Sequence, residues 1–392
     1  MKSFELYLHI PFCVKKCAYC DFLSAPAEYP ERLAYVKRLE EEMSFYRDRY
    51  AEYEADTVFI GGGTPTILEG RHLAELMEAL RNNFRISSQA EITVECNPGT
   101  LDGTKARELY QAGVSRLSLG LQSASNLELA MLGRIHTFED FLDSFGEARK
   151  AGFRNLNVDL MSALPGQTAK SWEKTLKTVT ALHPEHISAY SLMIEEGTPF
   201  AAIYHEDEQL RERGEQPRLL PSEEEERAMY ELTAEYLGGK GYRRYEISNY
   251  ARPGFACRHN VGYWTRKNYL GLGLGASSLM ENERFANTSV LKDYMERPFS
   301  HTDRQRLSRE AQMEEFMFLG LRLTEGVSRA DFQREFGASI DLMYGETLRD
   351  LKAQGLVEAA EGRIFLTGRG VDVSNYVLAQ FLFDRDAGLF EK

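Results

Sequence analysis

The sequence predicts an α/β fold: an incomplete parallel (β/α)6 barrel followed by a small, mainly helical, winged-helix-like C-terminal domain. Two observations carry the barrel. Six short β-rich apolar runs alternate with helical segments, which implies βαβ units and a parallel sheet. Polar or glycine features recur at the ends of these runs, where barrels keep their chemistry. A third observation carries the second domain. Near Gln305 the alternation gives way to consecutive helices and one hairpin. A chain of 392 residues is long for one domain, so the division is set at residues 1–300 and 305–392.

The first run, residues 4–10, ends at a cysteine loop. The second, 56–60, precedes Gly61-Gly62-Gly63, and the third, 91–96, precedes Asn97-Pro98-Gly99. Runs 116–121, 156–162 and 186–193 complete the set. Helical patterns fill residues 31–46, 70–83, 103–112, 138–151 and 171–182. Six units fit an open barrel better than a closed eight-stranded one. Residues 199–221 are polar and charged, and read as an excursion over the surface. A helix over 222–237 follows. Ser222 caps it, the glutamates at 223–226 favour the positive end of its dipole, and Met229, Leu232, Tyr236 and Leu237 form a core stripe. Residues 263–275 interleave aromatics and glycines and read as a loop. In the second domain, helices over 309–323, 328–336 and 340–354 lead to a hairpin over 356–366 and a final helix over 368–383. This module reads as a cap on the barrel, not as a DNA reader.

The charge balance supports that choice. With 47 basic and 60 acidic residues the net charge is −13, which argues against nucleic-acid binding and against a radical modifier of RNA. The longest apolar runs are strand-sized, so no transmembrane segment is expected. Residues 1–5 lead straight into a strand, so no signal peptide is expected. Five cysteines without an export signal point to the reducing cytoplasm, where clustered cysteines bind metal more often than they pair.

Cys13, Cys17 and Cys20 fall within eight residues, in the spacing C-x3-C-x2-C. An iron–sulfur cluster takes thiolate ligands, and a cluster short of one cysteine leaves one iron open to a non-protein ligand. A zinc site wants four protein ligands, and His9 stands near enough in sequence to supply the fourth. The glycines after the second run either make a tight turn or let a ligand approach the backbone closely. Glu95 closes the third run, where a carboxylate could accept from a ribose or an amine. Gln122, Arg134 and Asp159 read equally as a capping amide, a solvated arginine and a helix cap. Cys96 reads as a buried apolar residue. In Cys257-Arg258-His259-Asn260-Val261-Gly262-Tyr263-Trp264, a neutral imidazole beside two flat aromatic faces suits haem, with Cys257 as a rival ligand. The competing reading is a structural loop with His259 hydrogen-bonded.

The stretch Tyr7-Leu8-His9-Ile10-Pro11-Phe12-Cys13, continuing to Cys17-Ala18-Tyr19-Cys20-Asp21-Phe22, resembles the cluster loop of the radical S-adenosylmethionine superfamily. Within it the chain is similar to oxygen-independent coproporphyrinogen III oxidases and their relatives, the HemW-type haem chaperones. The resemblance covers the whole chain. It implies a [4Fe-4S] cluster on Cys13, Cys17 and Cys20, with S-adenosylmethionine on the open iron as the source of a 5′-deoxyadenosyl radical. It implies that Tyr7, Tyr19, Gly62, Gly63, Thr64, Glu95, Gln122, Arg134, Asp159 and Met193 contact S-adenosylmethionine. His-Asn-x-x-Tyr-Trp resembles a haem-associated signature of the chaperone branch, so His259, Tyr263 and Trp264 are the implied haem residues. The oxidases carry Cys-x-Cys after the third cluster cysteine, where this chain has Asp21-Phe22. They also carry an N-terminal extension, and Cys13 here comes almost at once. Both departures favour haem handling over decarboxylation of coproporphyrinogen. The implied partners are haem or a porphyrin, an acceptor haemoprotein, an electron donor for the cluster, and a second copy of the chain in a homodimer.

Overall fold

The computed structural model describes residues 2–297 and 299–383, so the stretch 384–392 of the expected second domain lies outside the described residues. β1 (Lys2–Ile10) shows why the barrel forms. Phe4, Leu6, Leu8 and Ile10 are fully buried on one face of the strand, while Glu5, Tyr7 and His9 take the other. The chain continues as α1 (Tyr29–Tyr46), β2 (Tyr53–Gly62), α2 (Gly70–Asn83), β3 (Arg85–Cys96), α3 (Gly103–Gln111) and β4 (Arg116–Gln122). Then come α4 (Asn126–Met131), α5 (Phe138–Ala151), β5 (Leu156–Ser162), α6 (Ala169–Thr180) and β6 (His186–Ser191). The six strands pair in chain order and in parallel. Leu73, Leu76, Met77 and Leu80 of α2 are buried at helical spacing, as on a helix that covers a sheet.

The barrel does not close. Beyond β6 come α7 (Pro199–Glu212) and α8 (Glu223–Gly239), then β7 (Arg243–Arg244) and β8 (Asn249–Ala251). β8 runs antiparallel to β6, and β7 pairs with β8. After α9 (Arg258–Trp264), β9 (Tyr269–Leu272) adds to the other edge, parallel to β1. β10 (Ser277–Met280), β11 (Glu283–Asn287), α10 (Leu291–Glu296) and β12 (His301–Arg306) follow, and these three strands extend that edge antiparallel. The result is one twelve-stranded sheet with the parallel barrel at its centre. A buried carboxylate pins the extension. Glu42 of α1 accepts from the Gly273 N–H at 2.8 Å, the Asn287 amide at 2.6 Å and the Tyr294 hydroxyl at 2.7 Å.

Two readings of the middle of the chain need correction. Residues 199–221 are not all loop: α7 occupies Pro199–Glu212, capped by Thr198 and led by Pro199. Phe200 and Tyr204 anchor it, and Asp207 accepts from the backbone N–H groups of Arg218, Leu219 and Leu220. Residues 263–275 contain the end of α9 and all of β9, so they are not a loop. Gly271 there marks close packing: a Cβ would stand 2.2 Å from the Ser277 carbonyl oxygen. The helix expected at 222–237 is α8, with Ser222 and Glu225 in a reciprocal capping box.

The C-terminal part contains α11 (Arg309–Gly320), β13 (Val327–Ser328), α12 (Arg329–Phe336), α13 (Ile340–Ala353), β14 (Val357–Ala360), β15 (Arg363–Leu366), α14 (Gly368–Asp372) and α15 (Ser374–Ala379). It has its own core, built on Met317, Phe332, Ile340, Ile364, Val377 and Phe381. The final helix expected over 368–383 is broken at Val373, whose φ of −116° and ψ of 34° leave the helical basin. This part docks on the barrel through charge and stacking. Arg266 reaches Glu315 at 3.1 Å and Glu335 at 2.8 Å, and the Arg322 guanidinium lies 4.5 Å from the Trp264 ring centre. Among the described residues no helix is long and apolar enough to cross a membrane.

Candidate functional site

A cleft open to solvent lies at the C-terminal ends of the barrel strands. Cys13, Cys17 and Cys20 line it together, partly exposed and free of disulfides. The loop that carries them is stitched at several points. The Ala25 N–H donates to the Pro11 carbonyl at 3.0 Å, and the Cys13 N–H to that of Ala25 at 3.2 Å. The Ala18 N–H donates to the Leu132 carbonyl at 3.1 Å, and the Phe200 N–H to that of Ala18 at 3.1 Å. The first turn of α7 therefore buttresses the cysteine loop.

The donor set fits a [4Fe-4S] cluster. Three free thiols line one cleft, and a cluster gives each thiolate its own iron. The zinc alternative loses its fourth ligand. His9 Nδ1 is paired with the Tyr7 hydroxyl at 2.9 Å and Nε2 with the Leu23 carbonyl at 2.8 Å. Burial holds the His9 ring below its ordinary pKa, which fits a neutral, internally bonded imidazole.

The glycine turn after β2 meets this loop without room for side chains. Gly62 has φ +111°, and a Cβ there would stand 2.6 Å from the His9 ring. The Gly63 N–H donates to the Ile10 carbonyl at 2.9 Å and the Thr64 N–H to that of Phe12 at 2.7 Å. The Thr64 hydroxyl lies 3.4 Å from the Cys13 sulfur and accepts from the Asn97 amide at 2.7 Å.

Two carboxylates form the floor. Glu95 accepts from the Gly62 N–H at 3.1 Å, and burial, followed by the charge of Asp159, pushes its pKa up to about 7. Asp159 is also raised by burial, and accepts from Ser118 at 3.0 Å and Asn157 at 2.7 Å. A buried acidic floor favours a cationic ligand. Gln122 enters the cleft from a strained position. Its φ of +72° is left-handed, and the register between β4 and β5 shifts at Gly120 and Gln122. Such a conformation costs a non-glycine residue about 1–2 kcal/mol, and a bulge at a strand end re-aims a side chain. Arg134 and Tyr19 complete this set of lining residues.

Some expected site residues are elsewhere. Tyr7 does not line the cleft: it is bonded to His9 and stacks with Phe59 and His259. Met193 lies past the end of β6, 70 % exposed and outside the cleft lining. Neither belongs to the lining of the cleft as it stands. Cys96 borders the cleft but is buried, its sulfur 3.6 Å from the Val94 carbonyl oxygen, and burial pushes its thiol up. The sequence reading missed Lys15, Lys16, Asn97 and Tyr190 as lining residues. The lysines sat in view between Cys13 and Cys17; their direction did not.

The expected haem residues form a joint in this structure. His259 of α9 is 1 % exposed, with Nδ1 at 2.7 Å from the Thr57 hydroxyl and Nε2 at 3.0 Å from the Tyr263 hydroxyl. Burial, with the nearby Arg116 charge, pushes the ring down to about 3. Tyr263 stacks edge-on with Tyr269, and Trp264 packs under Arg322 of the C-terminal part. Cys257 is fully buried, its thiol pushed up to about 12 by burial. As seated, His259 has no free nitrogen for iron and Cys257 is fully buried. The local pattern could not show that a hydroxyl from β2 claims the imidazole.

The Radical SAM superfamily model matches residues 7–179, and the HemN C-terminal domain model matches residues 307–373. The heme chaperone HemW of Bacillus subtilis is 39% identical over 97% of this chain and 99% of that protein. The heme chaperone HemW of Escherichia coli is 33% identical over 96% of this chain and 98% of that protein. Among solved structures, the coproporphyrinogen III oxidase HemN from Escherichia coli, a radical SAM enzyme, superposes with a TM-score of 0.82 at 25% identity, covering 97% of this chain and 90% of that one.

Proposed function

The chain belongs to the HemW family of radical SAM proteins, and on that premise we propose that it is a haem chaperone. It holds a [4Fe-4S] cluster on Cys13, Cys17 and Cys20, binds S-adenosylmethionine in the cleft, and takes up haem for an acceptor haemoprotein. The observation that carries the cofactor reading is one cleft lined by three free thiols and floored by two buried carboxylates. When bound, the cluster and S-adenosylmethionine supply one-electron chemistry. The chain supplies position and charge. Glu95 and Asp159 face the cationic ligand, Gln122 and Tyr19 bracket it, and Gly62, Gly63 and Thr64 let it approach the backbone. Arg134 ties the cysteine loop to the ends of β3 and β4. In this reading residues 1–300 and 305–392 are the two domains, the protein works in the cytoplasm with an electron donor, and a homodimer is its assembly.

The likeness to the oxidase structure favours one alternative, decarboxylation of coproporphyrinogen III. Phe22 stands against it, exposed at the cleft where the oxidase pattern has a thiol. One experiment separates the two. The cluster is reconstituted anaerobically, and the protein is offered haem or, separately, coproporphyrinogen III with S-adenosylmethionine and a reductant. Haem uptake without release of carbon dioxide is the expected result. Carbon dioxide release at a catalytic rate would overturn the chaperone reading.

A further inference from the structure

We propose that haem docks across the rim of the cleft, with its carboxylates on Lys15 and Lys16 and its macrocycle on Phe22 and Tyr190. This rests on the chaperone reading and deepens it by giving haem a surface. Haem is a flat apolar ring with two carboxylates, so its site needs exposed apolar area next to unpaired cations. The rim offers both. Phe22 is 62 % exposed and lines the cleft, as does the exposed Tyr190 of β6. Two exposed aromatic side chains lining one opening mark a binding surface, whereas scattered ones do not.

The charge agrees. Lys15 and Lys16 both line the cleft; neither has a hydrogen bond or an ion pair among the described residues, and the Lys16 charge acts on the Cys20 thiol. Asp21, the one acid between Cys13 and Phe22, does not line it. In a chain of net charge −13, two unpaired lysines at one opening are a local exception. A dianion that also covers Phe22 would satisfy both features. His259 offers no free ring nitrogen as an alternative, because the Thr57 and Tyr263 hydroxyls occupy both.

The test is a haem titration of the cluster-loaded protein, followed in the Soret band, with iron per chain measured alongside. Haem dimethyl ester, which has the same ring without the charges, is the second probe. Lys15→Ala with Lys16→Ala weakens haem binding by about tenfold and leaves the ester unchanged, as loss of two exposed ion pairs predicts. Phe22→Ser weakens both probes, and Lys15→Arg with Lys16→Arg retains haem binding. Wild-type haem affinity in both the alanine and serine variants would overturn the proposed site. Equal loss of haem and ester in the alanine variant would overturn the carboxylate assignment. A wild-type protein that takes up no haem would overturn the chaperone reading itself.

Discussion

Arg134 Nη1 donates to the sulfur of Cys17 at 3.6 Å, while its Nη2 donates to Asn97 Oδ1 at 2.9 Å and to the Gly120 carbonyl at 2.6 Å. One buried guanidinium thus ties the cysteine loop to the ends of β3 and β4. The rigid planar fork reaches acceptors on separate elements in one fixed geometry, which the compact ammonium of a lysine does not reproduce.

Arg134→Gln therefore orphans acceptors beside the cleft, at about 1–3 kcal/mol for each one left buried. The variant is expected to retain less iron after anaerobic reconstitution and to melt at a lower temperature. Cys17→Ser sets the floor for iron content, and Arg134→Lys falls between Gln and wild type. Full iron content and an unchanged melting temperature in Arg134→Gln would remove Arg134 from the loop's support.

Glu95 gives the site a pH dependence. Burial, then the charge of Asp159, raises its pKa to about 7. S-adenosylmethionine carries a sulfonium charge, so its binding should tighten as Glu95 ionises between about pH 6 and about pH 8. Calorimetric titration across that range checks this, and Glu95→Gln should flatten the profile. A flat wild-type profile would contradict the role given to Glu95.

Glu5 and His259 face each other at 3.6 Å, and neither carboxylate oxygen of Glu5 has a hydrogen-bond partner. Burial raises Glu5 to about 8 and lowers His259 to about 3. The Glu5 contribution to stability is complete below its unfolded pKa, about 4.5, and is lost as pH rises through the folded value. The His259 contribution is complete above about pH 6.5 and is lost as pH falls toward the folded value. Glu5→Gln removes only the first loss. Relative to wild type, the variant should gain stability from about pH 5 to about pH 8, by at most about 1.4 kcal/mol per pH unit. Urea unfolding at several pH values reads this, and a difference that stays constant with pH would contradict it.

The legible parts of the fold were those with strong local periodicity. The runs at 156–162, 70–83 and 138–151 match β5, α2 and α5 residue for residue. What escaped depended on distant partners. α7 is a polar helix held by Asp207 and by the cysteine loop, not by a clear apolar stripe. β9 is a four-residue strand whose glycine is there for close packing, so it looked like a loop. In the cleft, the cysteine spacing and the strand-end positions brought Cys13, Gly62, Glu95, Gln122 and Asp159 together as expected. His259 was legible as a group with chemistry, but Thr57, far away in sequence, takes up its ring nitrogen. Only the tertiary structure shows that this imidazole is occupied.

The central claim is that the chain carries haem and gives it up. The most direct measurement loads the cluster-containing protein with haem, removes the excess, adds a haem-free haemoprotein, and follows both Soret spectra after separating the two proteins. Haem is expected to leave this chain and appear in the acceptor, reconstituting its native spectrum. Haem that stays on the chain, or that the loaded protein never holds, would contradict it.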